Sequence, residues 1–79
     1  MKLSKVQQEV VDKMRCGWEM VINYNWGEYY ITYWETRERE DISFKMHLQL
    51  LKYGVIKYKN AEGRLSIYQL TEKYRSNEG

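Results

Sequence analysis

Lys45, Gln49 and Lys52 stand four and then three residues apart in the stretch FKMHLQLLKYGVI, residues 44–56, so a helix there would align them as one polar stripe. That stripe has the chemistry to read a DNA groove, because glutamine can pair with adenine and lysine can reach guanine or a phosphate. Lys57, Lys59 and Arg64 follow around a candidate hairpin, where their charges would meet backbone phosphates, and Arg37 and Arg39 could do the same. The same cations also suit a solvated face around a core helix, and residue type leaves both readings open.

A second set of residues has the chemistry of a protein interface. Trp26 falls in a turn, Tyr30 and Trp34 on a strand face that the core does not need, and Tyr24 nearby. Tryptophan, tyrosine and arginine dominate interface energetics. Trp18 and the set Tyr29, Ile31 and Tyr33 are explained as core. A turn tryptophan such as Trp26 has little core to join unless a second subunit covers it.

No comparable case exists for catalysis. His47 lies inside the apolar arc of the 44–53 helix, with no carboxylate or nucleophile tied to it in the sequence, and reads as a core-edge histidine or a tyrosine's partner. Cys16 near a helix C-terminus lacks the dipole that would activate a thiolate, and the carboxylates between Glu35 and Asp41 lack the burial that acid–base work demands. The chain has no glycine-rich phosphate loop and no Cys/His cluster, so no catalytic residue, metal ligand or cofactor is assigned.

The elements that must position these residues follow from size and periodicity. With 79 residues the chain holds one domain, 1–79, and its 43% apolar and 30% charged content describes a folded chain rather than a disordered one. A net charge of +2 is too small to name a nucleic-acid partner. Ser4 and Gln7 form a capping-box pattern ahead of a helix with Val6, Val10 and Met14 on one face, ended by Gly17. Residues 18–24 and 28–34 alternate with period two around Asn25, Trp26 and Gly27, which predicts a β-hairpin. The run ETRERED, residues 35–41, is expected as a charged loop or hairpin extension. Asp41 or Ser43 can cap the second helix and Gly54 can end it. A second hairpin is expected over 55–59 and 65–70 with a turn at NAEG, residues 60–63. Residues 72–79, EKYRSNEG, allow a short turn or helix, with 75–79 frayed.

Helix, hairpin, helix ending in Gly54, Val55 and Ile56, hairpin, then YQLTEKYR: the stretches LSKVQQEVVDKMRCGW and LLKYGVIKYKN resemble small winged-helix proteins of bacteria and phages, including small bacterial proteins described as toxins. In that family Leu51, Gly54 and Ile56 would match the end of the recognition helix, and Leu70 with Thr71 the close of the wing. The resemblance implies an α+β, winged-helix-like fold in the order helix, β-hairpin, helix, β-hairpin (wing). The aromatic hairpin departs from the family pattern, since it replaces the helix that normally precedes the recognition helix. Glu35, Glu38, Glu40 and Asp41 stand just before the groove-entering helix, where negative charge would repel phosphate.

The first functional expectation is a small DNA-binding regulator of bacterial or phage origin, acting through the second helix (Lys45, Gln49, Lys52) and the wing (Lys57, Lys59, Arg64). The alternative is a phage or mobile-element protein that engages a host protein through Trp26, Tyr30, Trp34 and Tyr24, without touching DNA. Candidate partners are double-stranded DNA, a second copy of the chain joined through a hairpin edge, and a host protein. No signal peptide or membrane span is read in the sequence, and the expected location is the cytoplasm, that of the host if phage-encoded.

Overall fold

Helix α1, Lys5–Arg15, begins where the sequence places it. The Ser4 hydroxyl accepts from the Gln7 N–H at 3.1 Å, while the Ser4 N–H donates to Gln7 Oε1 at 2.9 Å, so two otherwise orphaned donors are satisfied together. This is a computed structural model, and it describes residues 3–75. Strands β1 (Glu19–Asn23), β2 (Glu28–Tyr33) and β3 (Glu38–Asp41) follow, then helix α2 (Phe44–Lys52), strands β4 (Ile56–Glu62) and β5 (Leu65–Leu70), and a single turn of helix α3 (Glu72–Arg75). No helix among the described residues is long and apolar enough to cross a membrane.

The winged-helix expectation is overturned. The chain builds one five-stranded antiparallel sheet, in the order β3-β2-β1-β5-β4, with three helices in the order α β β β α β β α. Two features of the sequence account for this. First, part of the acidic–basic run becomes a strand: residues 38–41 pair with β2 from Tyr33↔Glu38 to Tyr30↔Asp41, and the Thr32 hydroxyl donates to the Glu38 carbonyl at 2.6 Å. Second, β1 is apolar on both faces, so it pairs with β2 on one side and β5 on the other, merging the two hairpins into one sheet. The second turn also moves. β4 continues through Glu62, and residues 63–64 make the connection, with Gly63 at φ 63°.

Successive hairpin loops have equal length and a left-handed last position. Residues 24–27 join Asn23 to its partner Glu28, and residues 34–37 join Tyr33 to its partner Glu38. The last loop position is left-handed in both, at φ 65° for Gly27 and φ 63° for Arg37. Arg37 is the only non-glycine residue with positive φ among the described residues. Side chains with a Cβ pay roughly 1 kcal/mol or more for that conformation, which glycine adopts freely.

All three helices pack on one face of the sheet. Val10, Val11 and Met14 of α1 and Leu50 of α2 join Met20, Ile22, Ile31, Ile56, Tyr68 and Leu70, with Tyr74 of α3 packed against them. Each Val, Ile or Leu buried there contributes about 1.5–3 kcal/mol. Strand residues of the opposite parity belong to the other face, which no helix covers. The expected fraying of 75–79 lies beyond Arg75 outside the described residues; Arg75 itself donates from its backbone N–H to the Thr71 carbonyl and from Nη2 to the Leu70 carbonyl.

Candidate functional site

The helix-free face has a buried centre and an aromatic, charged surround. Val21 is opposite Tyr30 on β2 and Ile67 on β5, and both Val21 and Ile67 are buried although no helix lies over them. Trp34 is 46% exposed, and its indole N–H donates to Glu19 Oε1 at 2.7 Å. The other oxygen of that carboxylate takes a 2.5 Å hydrogen bond from Lys59 Nζ. Glu19 therefore fixes the ring and neutralises a lysine with one group, leaving Trp34 exposed but held.

Trp34 lines two concavities on this face. One, of about 260 Å³, is bounded also by Glu19, Lys59, Asn60, Glu62 and Ile67, and its charges are largely paired. The other, of about 370 Å³, is bounded by Tyr30, Thr32, Arg37 and Arg39 together with Trp34. Arg39 stacks 3.9 Å above the Tyr30 ring, a cation–π contact, with Nη2 at 3.4 Å from Asp41 and 3.9 Å from Glu28. Arg37 forms no ion pair among the described residues. Two aromatic residues, a threonine and two arginines thus line one hollow. Among the described residues no group of three or more His, Cys, Asp and Glu side chains is placed to hold a metal ion.

A second polar cluster lies on the helix side. His47 of α2 is fully buried, with Nδ1 3.3 Å from the Phe44 carbonyl and Nε2 3.3 Å from the Tyr24 hydroxyl, which is 3.1 Å from the Tyr68 hydroxyl. A neutral imidazole satisfies the chain of contacts if Nδ1–H donates to Phe44 and Nε2 accepts from Tyr24. Burial pushes the His47 pKa below its ordinary value, outweighing the upward pull of the Phe44 carbonyl, so the neutral form is the resident one. Burial and the hydrogen bond to Tyr24 push Tyr68 up to about 12. With a neutral imidazole, Tyr68 held un-ionised and every buried side-chain polar atom among the described residues partnered, the cluster is a structural network.

The residues singled out in the sequence are scattered by this architecture. Lys45 and Lys52 are exposed on α2, but Gln49 between them is half-buried and its Oε1 accepts from Gln7 Nε2 at 2.9 Å, tying α2 to α1. Lys57 is exposed on β4 and paired in register with Gln69, on the helix-free face; Lys59 is engaged by Glu19, and Arg64 sits in the β4–β5 turn. The α2 cations and the β4 cations therefore belong to opposite layers. Of the aromatic set, Tyr30 and Trp34 share the helix-free face. Trp26, 74% exposed, lies in the loop at the other end of β2, and Tyr24 folds back onto His47.

Arg37, Arg39, Thr32 and Glu19 complete the face around Tyr30 and Trp34. The register that would have collected them was present in the sequence: Tyr30, Thr32 and Trp34 alternate, and pairing residue 33 with residue 38 puts Arg39 beside Thr32. An arginine four positions after a strand end, where the preceding loop has glycine, was the other signal. No protein-family model matches the chain, and no curated protein and no solved structure matches it either.

Proposed function

We propose that the protein is a protein-interaction module whose contact surface is the helix-free face of the sheet, centred on Trp34 and Tyr30. The observation that carries this reading is Trp34 itself, a large aromatic side chain half-exposed between two concavities and held in place by Glu19. A ring already fixed before contact loses little conformational freedom on binding, which is what an interface anchor requires. The duplex-DNA reading has lost its scaffold, since the winged-helix arrangement is absent and Gln49 and Lys59 have intramolecular partners.

The test is site-specific photocrosslinking in the cell that encodes the protein, with a benzophenone amino acid placed at position 30 on the sheet face or at position 48 on the exposed side of α2. Discrete protein adducts from position 30 and none from position 48 are expected. Adducts to DNA, or protein adducts from position 48 alone, would refute the assignment of this face.

A further inference from the structure

We infer that the hollow between Tyr30, Thr32, Trp34, Arg37 and Arg39 receives an acidic side chain of the partner, flanked by an apolar one, so that the partner presents an acidic–apolar peptide segment. This deepens the sheet-face reading and rests on it.

Three observations converge. The first is charge: Arg37 lines the hollow without an ion pair among the described residues, and Arg39 is held by carboxylates only at 3.4 and 3.9 Å while its plane lies on Tyr30. A guanidinium in that condition offers a fork of N–H donors to an incoming carboxylate. The second is backbone conformation. Arg37 takes at φ 63° the position that Gly27 fills at φ 65° in the preceding loop of equal length, so the turn geometry favours glycine and is occupied by a cation instead. A residue that costs stability where glycine would serve points to a role for its side chain. The third is composition: the walls are Tyr30 and Trp34, which suit an aliphatic or aromatic neighbour of the acid.

The same face disfavours a nucleic-acid strand. Glu19, Glu28, Asp41 and Glu62 share the parity of Tyr30 and Val21, so a phosphate chain crossing the sheet would meet a carboxylate on four of the five strands, β5 excepted. A single carboxylate entering on the Arg37 side of the hollow meets less of that repulsion than a chain of phosphates, because Asp41 and Glu28 lie on the Arg39 side.

The experiment selects a random dodecapeptide library displayed on phage against the whole protein. Synthetic copies of the selected peptides are then titrated into the ¹⁵N-labelled protein, the Trp34 indole signal being assigned with W34F. The expected peptides carry Asp or Glu next to a large apolar residue and shift the Trp34 indole. They bind about tenfold more weakly when the acid is changed to its amide or when the protein carries R37N, and unchanged with K57N on the same face. R37N and R37G both suit the turn, so a loss of affinity in a folded variant reports the guanidinium alone. Peptides that shift Trp34 but lack an acid bias, or ignore R37N, would overturn this inference while leaving the sheet face as the contact surface. Peptides that shift only α2 signals, or a selection with none that reach Trp34, would overturn both. Binding of the oligonucleotide (dT)₁₀ at Trp34 more tightly than any peptide would assign the hollow to single-stranded nucleic acid instead.

Discussion

The Tyr24 hydroxyl lies between the buried His47 imidazole and the Tyr68 hydroxyl, at 3.3 and 3.1 Å, so a residue of the first hairpin loop closes a hydrogen-bonded chain through the helix layer. This contact ties the β1–β2 loop to α2 and β5. It also makes stability depend on pH in one direction. Burial depresses the folded-state pKa of His47 below its ordinary 6.5. Above that pH both states hold a neutral imidazole; below it the unfolded chain takes up a proton that the folded chain refuses. Stability is therefore expected to decline as pH falls from about 6.5, until folded His47 itself titrates. Urea midpoints at pH 7.5 and 5.5 should show the fall, and H47Q should flatten it.

Tyr24→Phe removes the hydroxyl and leaves His47 Nε2 and the Tyr68 hydroxyl without their shared partner. The cost should be about 1 kcal/mol, the lower part of the usual range, because Tyr24 is half-exposed and water can approach. Thermal denaturation of Y24F beside wild type checks it. No change would mean that the chain of contacts contributes nothing beyond shape.

Gly17 follows α1 at φ 110°, a conformation essentially restricted to glycine, and a Cβ built there would sit 3.2 Å from Tyr33 Cε1. Gly17→Ala is expected to cost about 1–3 kcal/mol, through backbone strain and displacement of the Tyr33 ring. Gly54→Ala, with open space around its Cβ position and φ 74°, should cost less. Comparing the two by urea denaturation separates the steric part from the backbone part.

Arg37 and Gly27 lead to a prediction of opposite sign. Arg37→Gly or Arg37→Asn should raise stability by about 0.5–1 kcal/mol, since both residues accept the left-handed region more readily. A higher midpoint together with weaker peptide binding would identify a position where stability has been exchanged for contact. Reduced stability would instead mean that the guanidinium holds the hairpin together.

Gln49→Ala should destabilise the free protein by about 1 kcal/mol, because it leaves Gln7, itself buried and engaged in the capping box, short of a partner. A base-reading glutamine would leave the free protein unaffected. Differential scanning calorimetry with no nucleic acid present distinguishes the two roles.

How far these features can be read from the chain differs by element. The capping box at Ser4 and Gln7, the hairpin around Asn25 to Gly27 and the helix closing at Gly54 each carry a local signal that survives in the structure. For residues 35–41 the sequence leaves a charged loop and a hairpin extension open, and the extension forms as β3; Glu38, Arg39, Glu40 and Asp41 are all exposed, so no apolar alternation can decide between them. The joining of β1 to β5 was hidden. It depends on long-range pairing, and its only local trace is that Val21 is apolar on the face opposite Met20 and Ile22. Tyr30 and Trp34 were legible as a pair off the core face, whereas the arginines beside them required the β2–β3 register.

The rims of the sheet determine how such a protein can meet copies of itself. On one side β3 offers four charged residues; on the other, β4 slips by one residue between Tyr58 and Asn60, with the unpaired Lys59 turned to Glu19. Charged, short and bulged rims give a visiting strand no regular template for hydrogen bonding. Open-ended fibre growth by strand addition is thereby disfavoured at both rims.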